Sequence, residues 1–147
     1  VWKSGGYAFE EYSETKRGKK RPYSGRIDLE FIAGQYEFRA EVKQCWPAAT
    51  ARRDRTAYVR GFMEKAKADV RRCPPNGTRR IAIVFGVPYL AQHRKAEIDD
   101  RIEWLADQAT EIQADIEADA VAWTFPSLRC LPTYQGSVCP GIIVWIK

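Results

Sequence analysis

The spacing of apolar positions divides the chain into a short series of elements. From Gly25 to Lys43 apolar side chains recur at every second position, with Ile27, Leu29 and Phe31 in one run and Tyr36, Phe38, Ala40 and Val42 in the next. That alternation predicts two strands, joined as a hairpin at Ala33-Gly34. Tyr58, Val59, Phe62, Met63, Ala66 and Val70 then fall along one helical stripe, which Pro74-Pro75-Asn76-Gly77 stops. The unbroken run Ile81 to Phe85 predicts a central strand covered on both faces. Ile98, Ile102, Leu105, Ala109, Ile112 and Ile116 recur every three or four residues and predict a long amphipathic helix. Ala120 to Phe125 and Gly141 to Ile146 read as strands, and Tyr7 to Thr15, with Phe9 and Tyr12 on one side, reads as a short helix. The order implies an α/β (α+β) fold, a mixed sheet flanked by helices, in which strands separated by a crossover helix run parallel.

Length narrows the organisation. A chain of 147 residues with 45% hydrophobic content encloses one core, so residues 1–147 are read as a single domain. Its longest apolar runs are far shorter than the roughly 20 residues of a membrane span, so the expectation is a soluble, cytoplasmic protein with no membrane partner. The opening Val1-Trp2-Lys3-Ser4-Gly5-Gly6 has neither Met nor a signal-peptide core, which reads as a piece excised from something longer. A net charge of +5, concentrated in Lys16-Arg17-Gly18-Lys19-Lys20-Arg21-Pro22, favours a polyanionic partner. Cys45, Cys73, Cys130 and Cys139 form no CxxC pair and have only His93 to join them, which argues against structural zinc. Reduced thiols are the default, and a bond between Cys130 and Cys139 stays open.

Strand alternation gives the charged residues of the hairpin a shared location. Asp28 and Glu30 lie opposite to Ile27, Leu29 and Phe31, while Glu41 and Lys43 lie opposite to Ala40 and Val42. A turn at Ala33-Gly34 would pair Ile32 with Gln35 and Asp28 with Arg39. All the named polar residues then fall on one face and the apolar residues on the other. Asp28 and Glu41 become diagonal neighbours, about 7–8 Å apart at the backbone, near enough for both carboxylates to hold one cation.

The segments Gly25-Arg26-Ile27-Asp28-Leu29 and Phe38-Arg39-Ala40-Glu41-Val42-Lys43-Gln44, on a hairpin followed by a helix and a strand, resemble the active-site pattern of the PD-(D/E)XK nuclease superfamily. The resemblance covers roughly Tyr7 to Phe85. It implies a restriction-endonuclease-like sheet and a Mg²⁺ ion, replaceable by Mn²⁺, held by Asp28, Glu41 and the carbonyl of Val42. Lys43 would help deprotonate or orient the attacking water, leaving a 5′-phosphate and a 3′-hydroxyl. Related sequences carry a further Glu on the first helix, for which Glu11 is chosen over Glu10 and Glu14. Gln44 often contributes in them, and Glu30 is a candidate secondary metal contact. Phosphate contacts are expected from Lys16, Arg17, Lys19, Lys20 and Arg21, and from Arg52, Arg53, Arg55 and Arg60 at the start of the following helix.

The resulting expectation is a DNA endonuclease, with RNA also open as substrate. The same pattern occurs in secreted bacterial toxin domains, which cut tRNA or DNA in a target-cell cytoplasm and are held by an immunity protein. A nucleic-acid-binding module without catalysis is the alternative of a different class, and the intact Asp28, Glu41 and Lys43 argue against it. Oligomeric state is not encoded in any of these patterns.

Overall fold

A computed structural model of the chain describes residues 8–16, 23–49, 55–73, 77–125 and 133–147, with the backbone alone at 8–15, 23–26 and 133–134. Its centre is a mixed sheet. Strands β1 (Ala8–Lys16), β2 (Tyr23–Ala33) and β3 (Tyr36–Cys45) form an antiparallel meander, and helix α1 (Arg55–Val70) crosses over to β4 (Arg79–Gly86), which runs parallel to β3. Helix α2 (Ile98–Asp115) leads to β6 (Ala120–Thr124), and the final strand β9 (Ile142–Ile146) inserts antiparallel between β4 and β6. The sheet order is β1-β2-β3-β4-β9-β6. The fold is therefore mixed α/β, as the alternation and the helical stripes predict. Among the described residues no helix is long and apolar enough to cross a membrane.

A second, three-stranded sheet is built from β5 (Leu90–Ala91), β7 (Thr133–Tyr134) and β8 (Ser137–Val138). Leu90 and Val138 from that sheet pack with Ala49 and with Ile98 and Leu105 of α2 in a small satellite core. A 3₁₀ segment, Gln92–Glu97, joins β5 to α2 and carries His93 exposed to solvent.

The segment expected to be a helix at Tyr7 to Thr15 is instead β1. The i, i+3 spacing of Phe9 and Tyr12 fits a helix, but the same stretch pairs with β2 from Ala8↔Phe31 to Lys16↔Tyr23. Ladder hydrogen bonds to a neighbouring strand outweigh a weak local preference. The hairpin turn also moves by one residue. Ala33 pairs with Tyr36 and Glu30 with Arg39, so the turn is Gly34-Gln35, and Gly34 supplies the positive φ of 62° that it requires. Relative to the expected register the strands slide by two residues. A shift of two keeps every side chain on its face.

The location of the core departs further from expectation. Lys43 pairs with Val84 and Val84 with Trp145, so these three residues share one face of the sheet. Helix α1 meets that face, since Asp69 reaches Lys43, and α2 meets it too, since the Trp145 indole donates to the Ala109 carbonyl at 3.0 Å. Both helices therefore lie on the side that carries Glu41 and Lys43. Val59, Met63, Ala66 and Val70 of α1, Ala109 and Ile112 of α2, and Ala82, Val84, Ile143 and Trp145 of the strands form the main core there. The central strand β4 buries Ala82 and Val84 toward the helices, while on its other face Ile83 is buried and Ile81 and Phe85 are half-buried. Phe31 stacks on Phe38 on that second face, with ring centroids 4.9 Å apart. The alternation identified the two faces of the sheet; along β3 and β4 the helices cover the one that carries Glu41 and Lys43, while Ile27 of the apolar set is also buried in the main core.

Trp145 is fully buried, and its ring lies against Gly86. A Cβ at position 86 would sit 2.6 Å from Cζ3 of that ring, so only glycine admits the indole. Gly86→Ala is expected to destabilise the protein by about 1–3 kcal/mol through overpacking, read as a lower urea midpoint at an unchanged slope.

Candidate active site

The sequence-predicted carboxylates and lysine come together where β2 parts from β3. The β2–β3 ladder runs from Ala33↔Tyr36 to Leu29↔Ala40, and one further step in that register sets Asp28 across from Glu41. At that step the side chain of Asp28 supplies the acceptor: its Oδ2 takes a hydrogen bond from the backbone N–H of Val42 at 2.8 Å. Asp28 is thereby fixed against the peptide that joins Glu41 to Val42. Glu11 lies in β1 at the register position across from Asp28, between the pairs Glu10↔Leu29 and Tyr12↔Ile27. The third acidic residue sought on a helix is thus on a strand.

Glu41 is only 3% exposed because α1 and the segment after it cover this face of β3. Its Oε1 accepts from the Lys16 ammonium, at the end of β1, and Cys73 Sγ lies 3.8 Å from the same oxygen. Burial pushes the Glu41 carboxyl above the usual carboxylate range; the charge of Asp28 adds to the rise, and Lys16 and Lys43 oppose it. Lys16, expected in a solvated phosphate-binding loop, is instead 6% exposed and committed to this ion pair.

Lys43 sits two residues along β3 on the same face, half-buried, with its Nζ 2.8 Å from Asp69 Oδ2 in the last turn of α1. Burial alone would lower its pKa. The hydrogen bond and charge of Asp69, joined by Asp28 and Glu41, outweigh burial and hold the ammonium above its ordinary value. Asp69 also accepts from Arg72 Nη1 at 3.1 Å. Sequence reasoning did not single out Asp69. The available signal was its place beside Val70 on the flank of the apolar stripe, which gives a helix face but not the strand residue it meets.

Other expected contacts are distributed differently. Gln44 is exposed on the opposite face of β3 from Glu41 and Lys43. Glu30 is held by Arg39, with Nε to Oε2 at 2.9 Å, which draws it away from the Asp28–Glu41 pair. Arg55 is 8% exposed rather than offered to a phosphate: its Nε donates to the Ala48 carbonyl, its Nη1 donates to Gln108 Oε1, and its guanidinium lies 4.1 Å from the Trp104 ring centroid. Arg60 is exposed and donates to the Asp115 carbonyl at the end of α2. Arg17, Lys19, Lys20, Arg21, Arg52 and Arg53 lie outside the described residues, as does Cys130. No disulfide joins the described cysteines Cys45, Cys73 and Cys139, and burial pushes Cys45 up to about 12.

As a cation site the arrangement is sparse but chemically consistent. Among the described residues no three His, Cys, Asp or Glu side chains converge. The donors available are the Asp28 and Glu41 carboxylates and the carbonyl of Val42, the residue that follows Glu41 and whose N–H is bonded to Asp28. Hard oxygen donors in that number suit Mg²⁺, which binds through one or two carboxylates and keeps several of its waters. Comparison of the chain with protein-family models, with curated proteins and with solved structures returns no match.

The Lys16–Glu41 pair makes stability depend on pH in a defined direction. Lys16→Met leaves a buried carboxylate without its cation, so Glu41 titrates higher still. A raised folded-state pKa favours the folded state below the ordinary carboxylate value, and that advantage disappears as pH rises through the folded value. The variant should therefore lose about 3 kcal/mol at pH 8 and show a much smaller deficit near pH 4.5, measured by urea unfolding at both pH values.

Proposed function

We propose that the chain is a metal-dependent nuclease that hydrolyses phosphodiester bonds of DNA, using the PD-(D/E)XK arrangement. The observation that carries this reading is the convergence of Asp28, the Val42 peptide and Glu41 at the point where β2 leaves β3, with Lys43 next on the same face. The connectivity of two antiparallel strands, helix α1 and a strand parallel to β3 supports it.

A divalent ion bound there would polarise the phosphate and lower the pKa of a bound water. Asp28 and Glu41 supply the negative charge that holds it. The hydrogen bond from Val42 N–H orients the Asp28 carboxylate, so one oxygen is fixed before any ligand arrives. Lys43 keeps its proton at neutral pH, because its pKa lies above the ordinary value. It therefore works as a donor and a positive charge, aligning the attacking water or offsetting charge that builds on the phosphate oxygens, and not as the base. Asp69 sets where that ammonium stands.

The proposal is tested by incubating plasmid DNA, single-stranded DNA and bulk tRNA with the protein and Mg²⁺ or Mn²⁺. Cleavage of DNA is expected, abolished by EDTA and reduced about 100-fold or more in Asp28→Asn and Lys43→Ala. Loss of tRNA alone would move the substrate to RNA and favour the toxin-domain reading. Intact substrates in every wild-type lane, or cleavage indifferent to EDTA and to both substitutions, would sink the proposed site.

A further inference from the structure

We propose that Lys16 is a tethered counter-cation for Glu41, seated where a divalent ion would engage that carboxylate, so that metal uptake requires Lys16 to lift away. The inference rests on the metal-site reading above and concerns how that site is held before the ion arrives.

Three features carry it. The first is burial without redundancy. Glu41 and Lys16 are 3% and 6% exposed, and the Lys43 ammonium, the other cation near Glu41 among the described residues, is already engaged by Asp69. Glu41 in the resting protein thus depends on Lys16 for its charge balance, since a buried carboxylate without a partner is costly.

The second is the route by which Lys16 arrives. Strand β1 is not paired with β3; β2 lies between them, and the β2–β3 ladder ends at Leu29↔Ala40. Beyond that point the β1–β2 hairpin continues from Asp28 to Tyr23 without the β3 ladder, keeps Ile27 in the main core, and ends with Lys16 against Glu41. The ion pair therefore joins a hairpin arm to β3 where no backbone ladder between β2 and β3 does so. An arm held at its end by a side-chain contact can release that contact while the rest of the sheet stays paired.

The third is competition. The ammonium and a divalent ion would share one carboxylate, and two cations a few ångströms apart in a buried site repel strongly. Binding of the ion to a protein in which Lys16 occupies Glu41 is weakened by the fraction of molecules with Lys16 released. A substrate phosphate offers the released ammonium an acceptor outside the pair. Metal and phosphate uptake are then mutually supporting.

Two measurements on the intact chain test this without relying on catalysis. Amine acetylation of the wild-type protein, read by peptide mass spectrometry, should label Lys16 slowly in the absence of divalent ion and about tenfold or more faster with Mn²⁺, against exposed Lys95 as the internal reference. Asp28→Asn should abolish the Mn²⁺-dependent increase. In titration calorimetry Lys16→Gln should bind Mn²⁺ about tenfold or more tightly than wild type, while Lys16→Arg, which keeps the charge, should not. Asp28-dependent Mn²⁺ binding with Lys16 still protected and Lys16→Gln no tighter than wild type would overturn the inference and leave the metal site standing. Absence of any Asp28-dependent binding in both proteins would overturn the metal site and this inference with it.

Discussion

A carboxylate placed beneath a helix is tolerated only with a cation against it, and the architecture around β3 is arranged to meet that requirement for Glu41. Helices α1 and α2 both cover the face of the sheet that carries the charged residues of the hairpin. Lys16 has to reach Glu41, Asp69 has to meet Lys43, and Arg39 has to be shared between Glu30 and Glu37. The main core of Trp145, Val84, Met63 and their neighbours lies farther along the same face. Polar and apolar layers are continuous there, so a change in pairing at Glu41 is felt by the packing of α1.

This placement links the fold to the proposed chemistry. A carboxylate on a solvated sheet face would be screened and mobile; one under a helix is held in position and strongly charged relative to its surroundings. The same burial that raises the Glu41 pKa makes an incoming divalent ion a favourable partner, and it leaves Lys43 protonated by surrounding it with three acidic groups. Position and charge are supplied by one arrangement of strands. Asp28 completes it by using a carboxylate oxygen to satisfy the Val42 N–H where the β2–β3 ladder stops.

Most of the elements were legible because their spacing is strongly periodic. The stripe from Val59 to Val70, the one from Ile98 to Ile112 and the run Ile81 to Phe85 each became the element their period predicts. The grouping of Asp28, Glu41 and Lys43 was legible for a subtler reason: side-chain parity along a strand survives a two-residue error in register. The identity of the covered face was not. Alternation separates polar from apolar positions, and the usual inference that the apolar set faces the helices fails along β3, where the charged cluster occupies the covered side. Strand β1 was hidden by three glutamates and an i, i+3 aromatic pair, which mimic a helix until a partner strand is known. Asp69 and the Lys16 ion pair are long-range contacts that no local spacing encodes.

The central claim is that Asp28, Glu41 and the Val42 carbonyl form a site for one divalent ion. The most direct measurement is an anomalous difference map from crystals of the protein grown with Mn²⁺. The account predicts a peak bonded to oxygens of Asp28 and Glu41 and to the Val42 carbonyl, at roughly the 2.0–2.2 Å of a small hard cation, with Lys16 displaced from Glu41. A map with no peak at those oxygens, and Lys16 still seated on Glu41 at saturating Mn²⁺, would contradict it.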